Sequence, residues 1–150
     1  MFDVIAEAAT AESPLWAESL CPRDEQEREA VFSPLAPAGH ALGLETIYEG
    51  YLVHYGRSRL FAPADRDTAL LLGDYLYAHG LVRVAETGDV KAVADLAELI
   101  SRCAQLRAEG LDGDGAEWVA TSSALGQLPT STPDTETVDR ALATHARLVG

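Results

Sequence analysis

The most conspicuous shortage in this sequence is of positive charge. It contains 11 lysine and arginine residues against 24 aspartate and glutamate residues, a formal net charge of -13. Lys91 is its one lysine, and Arg57 and Arg59 form its one closely spaced basic pair. Nucleic-acid phosphates and anionic lipid headgroups are bound by clustered Lys and Arg side chains. The composition therefore predicts a protein that binds neither nucleic acid nor an anionic membrane surface.

Long apolar segments and paired cysteines are also missing. No apolar run approaches the roughly 18 residues that a membrane-spanning helix requires. The opening MFDVIAEAAT carries an early acidic residue instead of the basic start of a secretory or transit peptide. Cys21 and Cys103 stand apart without a Cys-x-x-Cys spacing, which favours two reduced thiols over a disulfide or a zinc site. We therefore expect a soluble, cytoplasmic protein without membrane insertion.

Motifs that carry catalysis or bind metal are absent as well. A carboxylate metal site in a helical bundle needs Glu-x-x-His, and histidine does not follow at that spacing after Glu45, Glu49, Glu86 or Glu98. There is no Gly-x-Ser-x-Gly elbow or glycine-rich phosphate loop. The sequence thus predicts no catalytic residue, no metal and no cofactor. Dispersed histidines are more often structural residues with one or two hydrogen bonds, and we interpret in this way His40, His54, His79 and His145.

What the sequence does contain is helical periodicity. No stretch alternates like a β-strand, so we predict an all-α fold, a bundle of about six helices in one domain, residues 1–150. Ser13 and Pro14 predict the start of a short helix, and the three acidic residues within 24–27 suit the first turn of the next. A flexible linker is predicted over 127–135, with Thr132-Pro133 opening the last helix. The remaining helices are predicted over 38–55, 65–87, 90–109 and 116–124. Asp65 or Asp67 is predicted to cap the second of these, Gly88 to end it, and Asp89 to cap the third.

The predicted helix over 65–87 is apolar around most of its circumference and is therefore predicted to be central. Gly73 and Gly80 lie two turns apart on one side of it, where missing side chains would let another backbone approach closely. About six helices are too few to cover such a helix on all sides. We therefore predict association with another chain, with Gly73 and Gly80 at the interface.

The predicted helix over 38–55 carries an apolar face at spacings of three and four, and Glu45 and Glu49 are predicted to lie exposed on its opposite face. Its aromatic residues, together with those of the following helix, suggest a cavity for a ligand. Aromatic residues at helical spacing are, however, more often part of a packed core. The ligand-binding candidates are Tyr48, Tyr51, Tyr55, Asp74 and Tyr77.

Asp74 is the most informative of these candidates. The residues three and four positions away from it are apolar or aromatic, namely Leu70, Leu71, Tyr77 and Ala78. A carboxylate in an apolar environment needs a specific partner, because burial of an unpaired charge is costly. We therefore predict that Asp74 is buried and hydrogen-bonded to a Tyr, His or Arg side chain of a neighbouring helix.

Asp74 also belongs to a segment with a family resemblance. The residues that carry it are Leu71-Leu72-Gly73-Asp74-Tyr75-Leu76-Tyr77, then Glu86-Thr87-Gly88-Asp89, then the helix over 94–104. From about residue 42 to residue 110, the chain resembles the trans-prenyl diphosphate synthase (isoprenoid synthase) superfamily. It is most similar to the small non-catalytic subunit of two-component heptaprenyl and hexaprenyl diphosphate synthases. The resemblance implies a partial isoprenoid-synthase-like helical fold.

The resemblance implies a partner rather than an enzyme. Catalytic members bind magnesium diphosphate through two aspartate-rich motifs, whereas this sequence has no DDxxD motif, and Asp65-Arg66-Asp67 is too short to replace it. A regulatory subunit that pairs with a catalytic prenyl synthase is therefore the first hypothesis. The alternative is a stand-alone helical module that homodimerises or binds a small apolar ligand. A third hypothesis is an enzyme that uses His54, Asp74 and His79.

Overall fold

The computed structural model describes residues 1–126 and 132–150, and within these the chain forms seven α-helices and no β-strand. The helices are α1 (Phe2–Glu12), α2 (Pro14–Ser19), α3 (Ala41–Tyr55), α4 (Arg66–Ala85), α5 (Val90–Ala108), α6 (Asp114–Ala124) and α7 (Thr135–Val149). Three short 3-10 turns lie between α2 and α3, at Arg23–Glu25, Ser33–Leu35 and Ala38–His40. The all-α prediction is confirmed, whereas α1 was not predicted.

Capping residues set several helix boundaries as predicted. Ser13 accepts a hydrogen bond from the first turn of α2, which begins at Pro14. Asp65 and Asp89 accept hydrogen bonds from backbone N–H groups in the first turns of α4 and α5, at 2.7 and 3.0 Å. Gly88, between these helices, has φ of 82°, a conformation that side chains disfavour. The sequence therefore places the turn between α4 and α5 correctly.

The start of α7 differs slightly from its prediction. Residues 127–131 of the predicted linker lie outside the described residues. The last helix begins at Thr135 rather than at Thr132-Pro133, and Asp134 caps it by accepting a 3.1 Å hydrogen bond from a first-turn N–H group. Among the described helices, none is long and apolar enough to cross a membrane.

The predicted helix that starts at residues 24–27 is wrong. A single 3-10 turn forms there, and the chain then runs irregularly towards α3. Its polar groups bond to other parts of the molecule: the Glu27 N–H donates to the Arg59 carbonyl at 3.0 Å, and Arg28 donates to Asp3 of α1 at 2.8 Å. These tertiary contacts override the local preference for a helix.

The central helix is α3 rather than α4. Residues 43–52 of α3 are all buried, and α4, α7 and the 3-10 turns pack around it. On α4, by contrast, Leu70, Leu71 and Val82 are 54–56% exposed. The predicted central position of α4 is therefore wrong. The main core instead surrounds α3, with the buried side chains of Phe32, Leu44, Ile47, Tyr48, Tyr51, Leu52, Leu96 and Trp118.

Glycines bring α3 and α4 into close contact. A Cβ atom on Gly80 would lie 2.9 Å from the carbonyl oxygen of Gly43, and a Cβ atom on Gly50 would lie 2.9 Å from that of Gly73. The predicted close approach at Gly73 and Gly80 is thus present, but the approaching backbone is α3 of the same chain. The prediction that Gly73 and Gly80 contact another chain is therefore corrected, because α3 of the same chain already fills the space beside them.

Two glutamates of α3 lie inside the molecule and bind one arginine. The side chains of Glu45, Glu49 and Arg59 are all 0% exposed. Arg59 Nη1 donates to Glu45 Oε2 at 2.7 Å, and Arg59 Nε donates to Glu49 Oε2 at 2.9 Å. The predicted exposed face at Glu45 and Glu49 is therefore wrong. A buried cation within reach of both carboxylates makes their burial tolerable.

The second oxygens of these glutamates hold irregular backbone in place. Glu45 Oε1 accepts from the N–H groups of Val31 and Ser33 at 3.0 and 2.9 Å, and Glu49 Oε1 accepts from Leu60 at 3.0 Å. Two carboxylates face one guanidinium, so the cluster carries a net negative charge that these N–H groups help to stabilise. The cluster thereby fixes the segment before α3 and the connection after it to the central helix.

Candidate functional site

Asp74 lies on the outward side of α4, where its side chain is 66% exposed. The predicted burial of Asp74 is therefore wrong. A partner of one of the three predicted kinds is present: Asp74 Oδ1 lies 3.1 Å from Nε2 of His54, an α3 residue whose side chain is 10% exposed. Apolar neighbours did not imply burial here, because Leu70, Leu71 and Ala78 are themselves exposed beside Asp74.

A groove of about 450 Å³ runs beside this pair, between α3, α4 and α5. It brings together three of the five predicted ligand-binding residues, Tyr55, Asp74 and Tyr77, and adds His54 to them. The His54 and Tyr77 rings pack with centroids 5.1 Å apart. The other lining side chains are mainly apolar and include Val53, Leu70, Ile100 and Ala104, with the exposed Arg66 as a further charged group. The groove therefore offers one polar edge and an apolar floor.

The other two candidates, Tyr48 and Tyr51, are core residues with 0% exposure. The Tyr48 hydroxyl lies 2.9 Å from Nδ1 of His145, and the Tyr51 hydroxyl donates to the carboxylate of Asp114. Burial raises the pKa of both hydroxyls above the ordinary tyrosine value, and for Tyr51 the Asp114 carboxylate adds to this rise in pKa. Neither tyrosine lines the groove, so the structure separates them from a ligand there.

The hypothesis of an enzyme built on His54, Asp74 and His79 needs the three side chains together. They are not together: His79 Nδ1 lies 3.1 Å from the Tyr75 hydroxyl, on a different side of α4 from Asp74. His40 pairs with Asp89 at 3.0 Å. Each histidine thus has one hydrogen-bond partner among the described residues, which agrees with the predicted structural role.

Beside the groove, α4 presents an apolar face to solvent. We call Leu70, Leu71, Asp74, Ala78 and Val82 the outer face of α4. At 100° per residue these five lie within an arc of about 120°, opposite the face that packs on α3. All five are exposed, and Asp74 supplies the only charge among them. The exposed Asp67 lies in the same arc, at the start of α4. Exposed apolar side chains that follow one another along a helix make this face a candidate contact surface.

We compared the chain with protein-family models, with curated proteins and with solved structures. None of them matches it. The candidate surface therefore rests on the geometry described above. Within residues 1–126 and 132–150, no group of three or more His, Cys, Asp and Glu side chains is arranged to hold a metal ion.

A second polar cluster lies where α5, α6 and α7 meet, and sequence reasoning missed it. Arg107 Nε donates to Asp114 Oδ2 at 2.7 Å, and Arg107 Nη2 donates to the Tyr51 hydroxyl at 2.9 Å. Burial lowers the pKa of the neighbouring His145 below its ordinary value. The available signal was Arg107 itself, because a charged residue on the otherwise apolar stripe of α5, with Ile100 and Cys103, indicates a buried partner.

Proposed function

We propose that the protein is a non-catalytic helical subunit that docks, through the outer face of α4, on a partner of the trans-prenyl diphosphate synthase type. The observation that supports this proposal is the exposed apolar stripe on the helix that carries the family resemblance. Leu70, Leu71 and Val82 are each 54–56% exposed. Covering such side chains contributes about 25 cal/mol for each Å² of apolar surface that leaves water.

Charge indicates what kind of partner fits. The chain carries a formal charge of -13, so a second copy would meet strong repulsion, whereas a partner with basic residues would be attracted. Asp74 lies within the outer face and keeps most of its carboxylate exposed. A lysine or arginine of the partner opposite Asp74 would fix the register of the contact. The proposed occupant is therefore a helical protein whose apolar docking surface has a basic residue at its centre and basic residues at its rim.

Sedimentation velocity with a purified catalytic trans-prenyl diphosphate synthase subunit tests this proposal. We expect a heterocomplex that Leu71→Glu abolishes, because a new carboxylate would be forced into the apolar contact next to Asp74. Leu15→Glu is the matched control, since Leu15 of α2 is 48% exposed and lies outside the outer face. Equal binding by both variants, or no complex with the wild-type chain, would reject the proposal.

A product assay separates a subunit from an enzyme. With Mg²⁺, farnesyl diphosphate and isopentenyl diphosphate, the chain alone is expected to make no longer prenyl diphosphate, because the two aspartate-rich motifs are missing. Adding it to the catalytic subunit is expected to change the rate or chain length of the product. Elongation by the chain alone would refute the non-catalytic role.

A second candidate function is binding of a small amphipathic ligand in the groove beside Asp74. The groove favours it through its polar edge at His54, Tyr55 and Asp74 and its apolar floor. Farnesol is a suitable probe, because its hydroxyl can donate to Asp74 while its chain lies on the floor. Ala104→Trp, on the exposed part of the groove, is expected to abolish binding, and Ala97→Trp, exposed on α5 away from the groove, is expected to preserve it. No binding to the wild-type chain would exclude this alternative.

A further inference from the structure

The groove beside Asp74 has two groups of opposite charge spaced along its α4 wall. Arg66 lies in the first turn of α4, and Asp74 lies two turns further along the same helix. At 1.5 Å per residue, their Cα atoms are about 12 Å apart along the helix axis. Ala69 and Leu70 lie between them and also line the groove. This wall is therefore an apolar surface with a cation at one end and a carboxylate at the other.

The cation of this wall is not engaged by an acidic side chain. Within residues 1–126 and 132–150, every lysine and arginine except Arg66 and Arg83 forms an ion pair. Asp65, next to Arg66, accepts from the Thr68 N–H group at 2.7 Å instead. Asp67 lies about 100° further round the helix. An exposed guanidinium beside an apolar wall favours a carboxylate, which it can bind through two N–H groups.

Asp74 offers an acceptor that a ligand in the groove can reach. Its Oδ1 pairs with Nε2 of His54 at 3.1 Å, whereas its Oδ2 has no hydrogen-bond partner in the part of the chain that the structure describes. The side chain is 66% exposed, so Oδ2 is open to a donor from solvent or from a ligand. A second carboxylate would be repelled here, whereas a neutral hydroxyl group donates to a carboxylate readily. This end of the wall therefore favours a hydroxyl group.

We propose that the groove binds a medium-chain ω-hydroxy carboxylic acid. Its carboxylate accepts from Arg66, its hydroxyl group donates to Asp74 Oδ2, and its methylene chain lies along Ala69 and Leu70. The proposal rests on the second candidate function, ligand binding in this groove, and names the class of ligand. A molecule with one polar end leaves Arg66 or Asp74 without a partner. A molecule with both ends binds the second group at a high effective concentration once the first is bound.

NMR titration of the full chain tests this proposal with 8-hydroxyoctanoate as the probe. We expect binding with a dissociation constant of about 1 mM or tighter. Octanoate and 1-octanol keep the chain and one polar end each, and each is expected to bind at least about tenfold more weakly. Binding of either one as tightly as 8-hydroxyoctanoate, or no binding of 8-hydroxyoctanoate, would overturn the proposal.

Two arginine substitutions show whether the carboxylate lies at Arg66. Arg66→Gln is expected to weaken the binding of 8-hydroxyoctanoate at least about tenfold and to leave the binding of 1-octanol unchanged, because only the first probe is charged. Arg83→Gln is the matched control. Arg83 also lies on α4 and lacks an ion pair within the described residues, but it does not line the groove. Equal binding of 8-hydroxyoctanoate by the two variants would refute the assignment.

Farnesol separates a failure of this proposal from a failure of the groove as a ligand site. If farnesol binds and 8-hydroxyoctanoate does not, the ligand class is wrong and the second candidate function stands. If neither probe binds, both are rejected. The sedimentation test of the docking surface on α4 uses no small ligand and is decided separately.

Discussion

The helices α3 and α4 pack against each other along their length but differ sharply in burial. The helix α3 carries Glu45 and Glu49 and is nevertheless buried over 43–52. The helix α4 is richer in leucine, and yet Leu70 and Leu71 face solvent. Burial here depends on how many neighbours surround a helix and on whether its charges find partners, and it does not follow leucine content. The central helix can hold Glu45 and Glu49 in the interior because Arg59 binds both carboxylates.

The largest effect on this comparison is expected from removing Arg59, the buried cation that binds Glu45 and Glu49 of α3. Arg59→Met leaves two buried carboxylates without their counter-ion, and we expect a loss of about 3–5 kcal/mol in the free energy of unfolding. Urea denaturation measures this loss. The matched control is Arg57→Met, since Arg57 is 57% exposed and pairs with Glu27 at 3.1 Å. The control is expected to change stability by less than about 1 kcal/mol.

Equal stabilities for these two variants would contradict the role assigned to the buried cluster. A double variant sharpens the test. Glu49→Gln added to Arg59→Met removes one of the stranded charges, so it is expected to recover part of the lost stability. A further loss on adding Glu49→Gln would show that repulsion between the carboxylates is not the cause.

The contact between the two helices is the next target. Gly80→Ala places a Cβ atom 2.9 Å from the Gly43 carbonyl oxygen and in collision with Ile47. We expect a loss of about 1–3 kcal/mol from overpacking, despite the better helix propensity of alanine. Gly39→Ala is the control, because a Cβ atom at Gly39 meets nothing within 4 Å. A thermal midpoint for Gly80→Ala at or above that of the wild type would disprove the close contact.

The pH dependence of the free energy of unfolding tests the burial of His145, the hydrogen-bond partner of Tyr48 in α3. Burial lowers the pKa of His145 in the folded state, while the unfolded chain has the ordinary histidine value of about 6.5. As the pH falls below that value, the unfolded chain takes up a proton first and the folded state loses stability. The free energy of unfolding is therefore expected to fall between about pH 7.5 and about pH 5.5.

His145→Gln is expected to reduce this fall in the free energy of unfolding. His79 also has its pKa lowered, mainly by burial, but it is only partly buried, so His79→Gln is expected to reduce the fall less. An identical pH dependence in the wild type and in His145→Gln would contradict the burial of this pair.

The smallest effect is expected on the outer face of α4. Leu71→Ala is expected to change the free energy of unfolding by no more than about 0.5 kcal/mol, because Leu71 is 55% exposed. Leu44→Ala on α3, where the leucine is 0% exposed, is expected to cost about 2–5 kcal/mol. Similar losses for the two leucines would show that α4 is buried in solution.

Much of the local structure was predictable because it depends on neighbouring residues. The caps at Ser13 and Asp89 and the turn at Gly88 follow from short-range chemistry and were placed correctly, and the cap at Asp65 was one of two candidates. The all-α class followed from the periodicity.

The tertiary arrangement was harder to predict for a physical reason. Two carboxylates at i and i+4 look the same whether they face water or a buried arginine, and Arg59 lies outside the helix that contains them. The pairing of Gly73 and Gly80 with Gly43 and Gly50 likewise depends on the antiparallel packing of two helices. At the candidate site, the kind of partner that Asp74 has was predicted correctly, whereas its burial was not. Asp74 pairs with His54, but its side chain lies on the surface.

Hydroxyl-radical footprinting of the chain alone and with its proposed partner, a catalytic prenyl synthase subunit, tests the central claim most directly, because it reads the exposure of both helices in one experiment. Alone and dilute, the chain is expected to be oxidised at Leu70 and Leu71 of α4 and protected at Leu44 and Leu52 of α3. In the complex, oxidation at Leu70 and Leu71 is expected to fall, while the exposed Leu15 of α2 stays reactive. Protection of Leu71 in the dilute chain, or unchanged oxidation of Leu71 in the complex, would contradict the account.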